Sequence, residues 1–137
     1  MTNKKRGTRA EQYVVNFLKD RGYQAFRIPS SGSGTKDYRP DVVAGYPGNY
    51  EIKPHRLIIE VKRTKDNFKY ISKESLKELD AFAYSFDAIP TICINFNKTY
   101  LWWLPLCYWI KCEGKMQRFD KENGRTFNEF RKKEAGL

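Results

Sequence analysis

The chain has 137 residues, 26 Lys and Arg against 16 Asp and Glu, a formal charge of +10, three cysteines and one histidine. That length is one domain's worth, residues 1–137, in which folding buries roughly 68% of the surface of the unfolded chain. No apolar run approaches the ~20 residues of a membrane span, and the basic stretch Met1–Arg6 leads into no apolar segment, so neither a membrane helix nor a secretory leader is expected.

The charge excess predicts a polyanionic partner, nucleic acid ahead of an anionic membrane, because no broad apolar helix face accompanies the basic residues. Neither a membrane nor a small-molecule substrate is expected as partner. Cys93, Cys107 and Cys112 are odd in number and match no zinc spacing, which points to a reducing, cytoplasmic setting without structural disulfides. The lone His55 cannot build a histidine-rich metal site and reads as a surface residue in a polar connection.

In chain order, residues 1–7 read as a basic arm whose Lys4, Lys5 and Arg6 lie along phosphates. Thr8 reads as an N-cap, with Glu11 at capping-box spacing. Ala10, Val14, Phe17 and Leu18 form the apolar stripe of a helix from Arg9 to Arg21, stopped by Gly22. Tyr23–Ile28 is a strand. Residues 29–36, small, polar and glycine-bearing, form a loop that lets a backbone approach closely and leads straight into Asp41; Ser30, Ser31, Ser33 and Lys36 are its candidate DNA contacts.

Arg39–Gly45 and Leu57–Lys62 are strand-like runs, and the turn-rich Gly45–Asn49 folds them into a hairpin. Arg63–Tyr70 reads as a basic loop facing the same partner, with Arg63 and Lys65 its foremost cations. Ser72 caps a second helix with the stripe Leu76, Leu79, Ala83 and Phe86. Phe82 and Tyr84 fall off that stripe, as exposed aromatics of a dimer contact or as packing at the helix edge. Pro90–Asn95 and Tyr100–Leu104 are strands, and Tyr108–Cys112 with Lys115–Phe119 make a last hairpin around Glu113 and Gly114. Thr126 caps a short terminal helix, with Glu129 closing the box. This order predicts an α/β fold, a mixed β-sheet flanked by helices, in which residues 105–137 are a C-terminal extension of the same domain.

The chemistry sits in the hairpin. Successive strand residues face opposite ways, so Glu60 and Lys62 share a face while Ile59 and Val61 take the other. Folding back brings Asp41 to the same spot. One positioned acid or base supplies only ~10²–10⁴-fold acceleration, less than phosphodiester cleavage needs, whereas magnesium works through one or two carboxylates, waters and a substrate phosphate. Asp41 and Glu60 supply the carboxylates, the Val61 carbonyl a further oxygen, and Lys62 a cation for the attacking water or the developing charge. Against this stands an exposed Glu60–Lys62 salt pair worth ~0–1 kcal/mol. Glu11 either completes the Thr8 cap or faces this cluster from helix one.

Lys5-Arg6-Gly7-Thr8-Arg9-Ala10-Glu11, Gly22-Tyr23, Arg27, Ser31-Gly32-Ser33, Pro40-Asp41-Val42-Val43-Ala44 and Ile59-Glu60-Val61-Lys62 together resemble the archaeal Holliday junction resolvases of the PD-(D/E)xK nuclease superfamily. The resemblance covers roughly the first two-thirds of the chain, and no counterpart is evident beyond about Pro105. It implies a restriction-endonuclease-like core and a homodimer, cellular or viral, that nicks four-way DNA junctions in pairs with Mg2+ or Mn2+. It also implies an active centre of Glu11, Asp41, Glu60 and Lys62, in which Ser31 matches the loop serine and Arg27 the DNA-contacting basic residue. Where many members carry an arginine after the helix-one glutamate this chain has Gln12, and Arg9 is the candidate substitute. A related restriction- or repair-type nuclease and a non-catalytic branched-DNA-binding module are the alternatives.

Overall fold

The computed structural model describes residues 3–29, 37–97, 100–105 and 114–137. In chain order its elements are α1 (Asn3–Lys19), β1 (Gln24–Arg27), β2 (Val42–Tyr46), β3 (His55–Thr64), β4 (Phe68–Ser72), α2 (Lys73–Ser85), β5 (Ile89–Phe96), β6 (Tyr100–Pro105), β7 (Met116–Asp120) and α3 (Phe127–Ala135). Among the described residues the apolar runs assemble a five-stranded sheet in the order β1-β2-β3-β5-β6, with β4 and β7 forming a separate two-stranded ribbon. The β3–β5 pairing is parallel and the other pairings of the large sheet are antiparallel, so the expected mixed sheet is present.

Alternation along β3 divides the core. Leu57 and Ile59 bury on one face with Val14 and Leu18 of α1, Trp103 of β6, and Phe127 and Phe130 of α3. Ile58 buries on the other face with Leu76 and Leu79 of α2, Ile92 of β5 and Phe119 of β7. Glu60 and Lys62 follow Ile58 in the period-two pattern, so they project toward α2 and the ribbon. Ser72 caps α2 by accepting from the Ser75 N–H, and Thr126 and Glu129 form the expected capping box on α3. Cys93 is buried, and burial pushes its thiol pKa well up, as befits an inert core cysteine. Cys107 and Cys112 lie outside the described residues.

Several expectations are corrected. The first helix begins at Asn3, so residues 3–7 belong to α1 and Thr8 lies inside it, with no role as its N-cap. Lys4, Lys5 and Arg6 are good helix formers, and Gly7 costs only about 1 kcal/mol against Ala, too little to stop a helix anchored by a buried stripe. Arg63–Tyr70 is no loop: β3 runs on to Thr64, and β4 begins at Phe68. The residues of the expected last hairpin divide, since β7 pairs with β4 and Tyr108–Cys112 lie outside the described residues. Phe86, expected on the apolar stripe, is the residue that ends α2 and is exposed. Phe82 is half-buried between Tyr38 and Phe86 and packs at the helix edge, whereas Tyr84 is 87% exposed. The C-terminal region closes the core, through Phe119 on one face and Phe127 and Phe130 on the other.

Candidate active site

Strand β2 ends irregularly, and this creates the site. Val42 is the register partner of Ile59, yet the N–H of Asp41 also donates to the Ile59 carbonyl (3.2 Å), while the carbonyl of Asp41 accepts from Ile28 on the opposite side (2.9 Å). A regular strand residue sends both groups to the same neighbour. Two residues facing one, with the backbone turned between them, is a β-bulge, a device that re-aims a side chain. Pro40, with no N–H, cannot extend the ladder. The Asp41 side chain takes over where β2 leaves off, its Oδ2 accepting from the Val61 N–H at 2.8 Å. The carbonyl of Val61 leaves β3 on that same side, toward Asp41.

Glu60, on the next residue of β3, is 9% exposed. Its carboxyl stands within hydrogen-bond reach of Asp41, and its pKa is pushed up to about 8. Burial is the main cause and the Asp41 charge the second; the Tyr38 hydrogen bond and the Lys62 charge pull the other way. The Tyr38 hydroxyl donates to Glu60 Oε1, and its ring packs edge-on against Phe82 of α2 at 5.7 Å. Burial first and the Glu60 charge second hold that phenol up in its protonated form. Nothing in the sequence reading singled out Tyr38; the available signal was an aromatic hydroxyl two residues ahead of Pro40.

Glu11 approaches from α1. Its Oε1 lies 3.7 Å from Arg27 Nε, and Arg27 Nη2 reaches Thr8 Oγ1 at 3.5 Å. Burial, then Asp41, raises the Glu11 pKa, while Arg27 and Lys62 oppose the rise. Glu11 therefore completes no cap at Thr8, and it stands among the charges of Asp41, Arg27 and Lys62. Asp41, Glu60, Lys62 and the Val61 backbone come together, Glu11 and Arg27 flank them, and among the described residues no three His, Cys, Asp or Glu side chains gather tightly enough to hold an ion unaided.

Of the expected DNA contacts, Arg9 and Lys65 are exposed and Arg63 is half-buried. Lys4, Lys5 and Arg6 occupy the start of α1, while Ser30, Ser31, Ser33 and Lys36 lie outside the described residues. His55 is only half-buried but well engaged: its Nε2 accepts from the Tyr23 hydroxyl (2.7 Å) and its Nδ1–H donates to the Lys53 carbonyl (2.8 Å).

The family model described as archaeal Holliday junction resolvase (hjc) matches residues 2–130. The chain belongs to the archaeal Holliday junction resolvase family. The match runs well past Pro105, so β7 and the first turn of α3 have family counterparts that motif comparison did not reach. Two relatives named crossover junction endodeoxyribonuclease Hjc are similar: that of Sulfolobus acidocaldarius, 39% identical over 84 residues, and that of Sulfurisphaera tokodaii, 40% identical over 83 residues, spanning 61% and 60% of this chain. The aligned stretch covers 54% of each relative's length, so the chain spans about half of those relatives. The solved structure of Archaeoglobus fulgidus Hjc, described as a Holliday junction resolvase from an archaeal hyperthermophile, superposes with a TM-score of 0.75 at 26% identity over 90% of this chain and 98% of that one. The fold of this resolvase-family member is thus restriction-endonuclease-like. No helix among its described residues is long and apolar enough to cross a membrane.

Proposed function

We propose that this chain is a structure-specific endodeoxyribonuclease that resolves four-way DNA junctions by metal-dependent paired nicking, in recombination or repair. The convergence of Asp41 and Glu60 at the bulge, beside Lys62, in a chain of this family, carries the proposal. A carboxylate held up to about 8 by burial and a like-charged neighbour is relieved by a cation, and a donor set made only of oxygens suits a hard divalent ion. Asp41, Glu60 and the Val61 carbonyl would hold Mg2+, or Mn2+ in its place, with Glu11 as a flanking ligand that would reach this ion through water or bind a second ion. Bound there, the ion supplies Lewis acidity and a water of lowered pKa.

The protein's own groups do the rest. Tyr38 fixes the Glu60 carboxyl through one oxygen, and the Val61 N–H fixes Asp41 through Oδ2. Lys62 projects from the same strand face as Glu60 and carries positive charge to the attacking water or the scissile phosphate. Arg27 restrains Glu11 and offers a guanidinium to DNA, as Arg9, Arg63 and Lys65 offer charge around the site. Lys4, Lys5 and Arg6 meet phosphates at the start of α1, where crowding of positive charge at a helix N-terminus is favourable only with an anion present. Ser31 is proposed as the loop residue of the centre, with Ser30, Ser33 and Lys36 as its DNA-facing neighbours. The working form is one domain per protomer in a homodimer, which supplies two centres for two nicks, and the exposed Tyr84 of α2 is the candidate contact.

The test is incubation with labelled four-way junction, linear duplex and single strand, with and without Mg2+. Symmetric paired nicks in the junction alone, dependent on the ion, are expected. Equal cutting of all three would move the assignment to a less selective nuclease, and tight junction binding without cutting under any divalent ion would leave a binding module. Junction affinity should fall with added salt, because phosphate contacts release counterions.

A further inference from the structure

The β4–β7 ribbon has an inner face that the core explains and an outer face that it does not. Ile71 and Phe119 point inward and are buried. Alternation then places Phe68, Tyr70 and Arg118 together on the outer face, with Tyr70 directly opposite Arg118 in register. The Phe68 and Tyr70 rings meet edge-to-face at 5.7 Å, and the Arg118 guanidinium lies 4.2 Å over Phe68 and 6.0 Å from Tyr70. An ion pair with Asp120 at 2.8 Å holds that guanidinium in place. Tyr70 is nevertheless 47% exposed. An ordered aromatic pair with a fixed planar cation, left open to solvent, forms a stacking surface looking for a flat partner.

Its position says what the partner is. The ribbon starts six residues after Lys62, past Arg63 and Lys65. It is tied to the ends of β3 and β5 through Asn97, whose N–H donates to the Thr64 carbonyl (3.0 Å) and whose Nδ2 donates to Oδ1 of Asn67, the residue before β4. It covers the same sheet face onto which Glu60 and Lys62 project. In a protein of charge +10, a surface here meets DNA, and aromatic rings with arginine bind the π-face of an unstacked base without regard to sequence. We propose that Tyr70, Phe68 and Arg118 form a stacking platform for an unpaired or unstacked nucleobase, one made available at a strand exchange point and absent from continuous duplex. This rests on the junction-resolving assignment for its biological meaning, although the platform's affinity for single strand stands apart from any cutting.

The probes are a four-way junction carrying 2-aminopurine beside the crossover, a dT oligomer, and continuous duplex of the same length, measured with the full chain in metal-free buffer. Tyr70→Ala should weaken the junction and the dT oligomer by about tenfold, corresponding to the ~1–3 kcal/mol of one base–aromatic stack. The slope of affinity against salt should stay as it is, duplex binding should be unchanged, and the 2-aminopurine signal should lose its protein-dependent change. Tyr70→Trp should restore all of these, which separates stacking from a folding defect. Wild-type affinity for dT and junction in Tyr70→Ala would overturn the platform, as would an equal loss on duplex or a shallower salt slope, the marks of a phosphate contact. None of these readouts depends on cleavage, so failure of the platform and failure of the nuclease assignment are distinguishable.

Discussion

The two ends of the β2–β3 hairpin use the same two strands to opposite purposes. At the closed end every named polar group has a partner. Asn49 Oδ1 accepts from the N–H groups of Glu51 and Ile52 (2.8 Å each), and its Nδ2 donates to the Tyr46 hydroxyl (2.7 Å). Gly48, at φ +94°, leaves no room for a Cβ, which would lie 2.8 Å from Pro54. His55 bridges the Tyr23 hydroxyl and the Lys53 carbonyl, and burial lowers its pKa. At the open end the bulge at Asp41 brings like charges together and buries one of them, so the Glu60 pKa rises to about 8. One end is at rest and the other is held away from its own optimum, as a site that awaits a cation must be.

That contrast is broken most severely by removing the acids. Asp41→Ala or Glu60→Ala should cut junction cleavage by at least ~10³-fold while gel-shift binding to the junction persists. Loss of fold along with activity would make the two ends alike, both structural. Lys62→Ala should cost ~10²-fold in the single-turnover cleavage rate, with unchanged melting.

Stability against pH should separate the ends by sign. The folded-state pKa of Glu60 lies above its ordinary value of 4.5, at about 8, so its contribution is fully present below 4.5 and is lost as pH rises through about 8. Without divalent ions the protein should therefore soften over that window, and Glu60→Gln should be more stable than the parent at pH 8 by about 2 kcal/mol, read from denaturant melts. His55 behaves oppositely. Its folded-state pKa is lowered from 6.5, so its contribution is complete above 6.5 and declines as pH falls below that value.

Two smaller effects sharpen the picture. Tyr38→Phe should weaken divalent-ion affinity by ~10-fold, the low end of what outer partners of metal ligands contribute, with junction binding unaffected in ion-free buffer. Tyr23→Phe should cost about 1 kcal/mol of stability and leave cleavage alone. If Tyr23→Phe instead abolished cutting, the closed end would belong to the chemistry.

The sequence disclosed most of this wherever a pattern was local. Period-two runs revealed β2, β3, β5 and β6, and Ser72 and Thr126 announced their helices. The motif residues Asp41, Glu60 and Lys62 could be named because a hairpin folds the start of β2 back beside the later half of β3, and period two puts Glu60 and Lys62 on one face there. What escaped depended on tertiary contacts. Thr8 and Glu11 have capping-box spacing, yet the helix starts at Asn3, because the capping preference is worth about 1 kcal/mol and Glu11 is drawn into the electrostatics of Asp41, Arg27 and Lys62. Arg63–Tyr70 looked like a basic loop because a strand such as β4, pinned by a partner 48 residues away at Tyr70 and Arg118, shows only a short, charge-interrupted pattern. Tyr38 escaped for the same reason, since its hydroxyl matters only once β3 lies beside it.

Calorimetric titration of Mn2+ into the metal-free protein at pH 7 tests most directly whether Asp41 and Glu60 share one ion. The account predicts saturable binding by the parent chain, and loss of that binding in both Asp41→Asn and Glu60→Gln while each remains folded. Undiminished binding in either variant would contradict a shared site and, with it, the metal-dependent mechanism built on it.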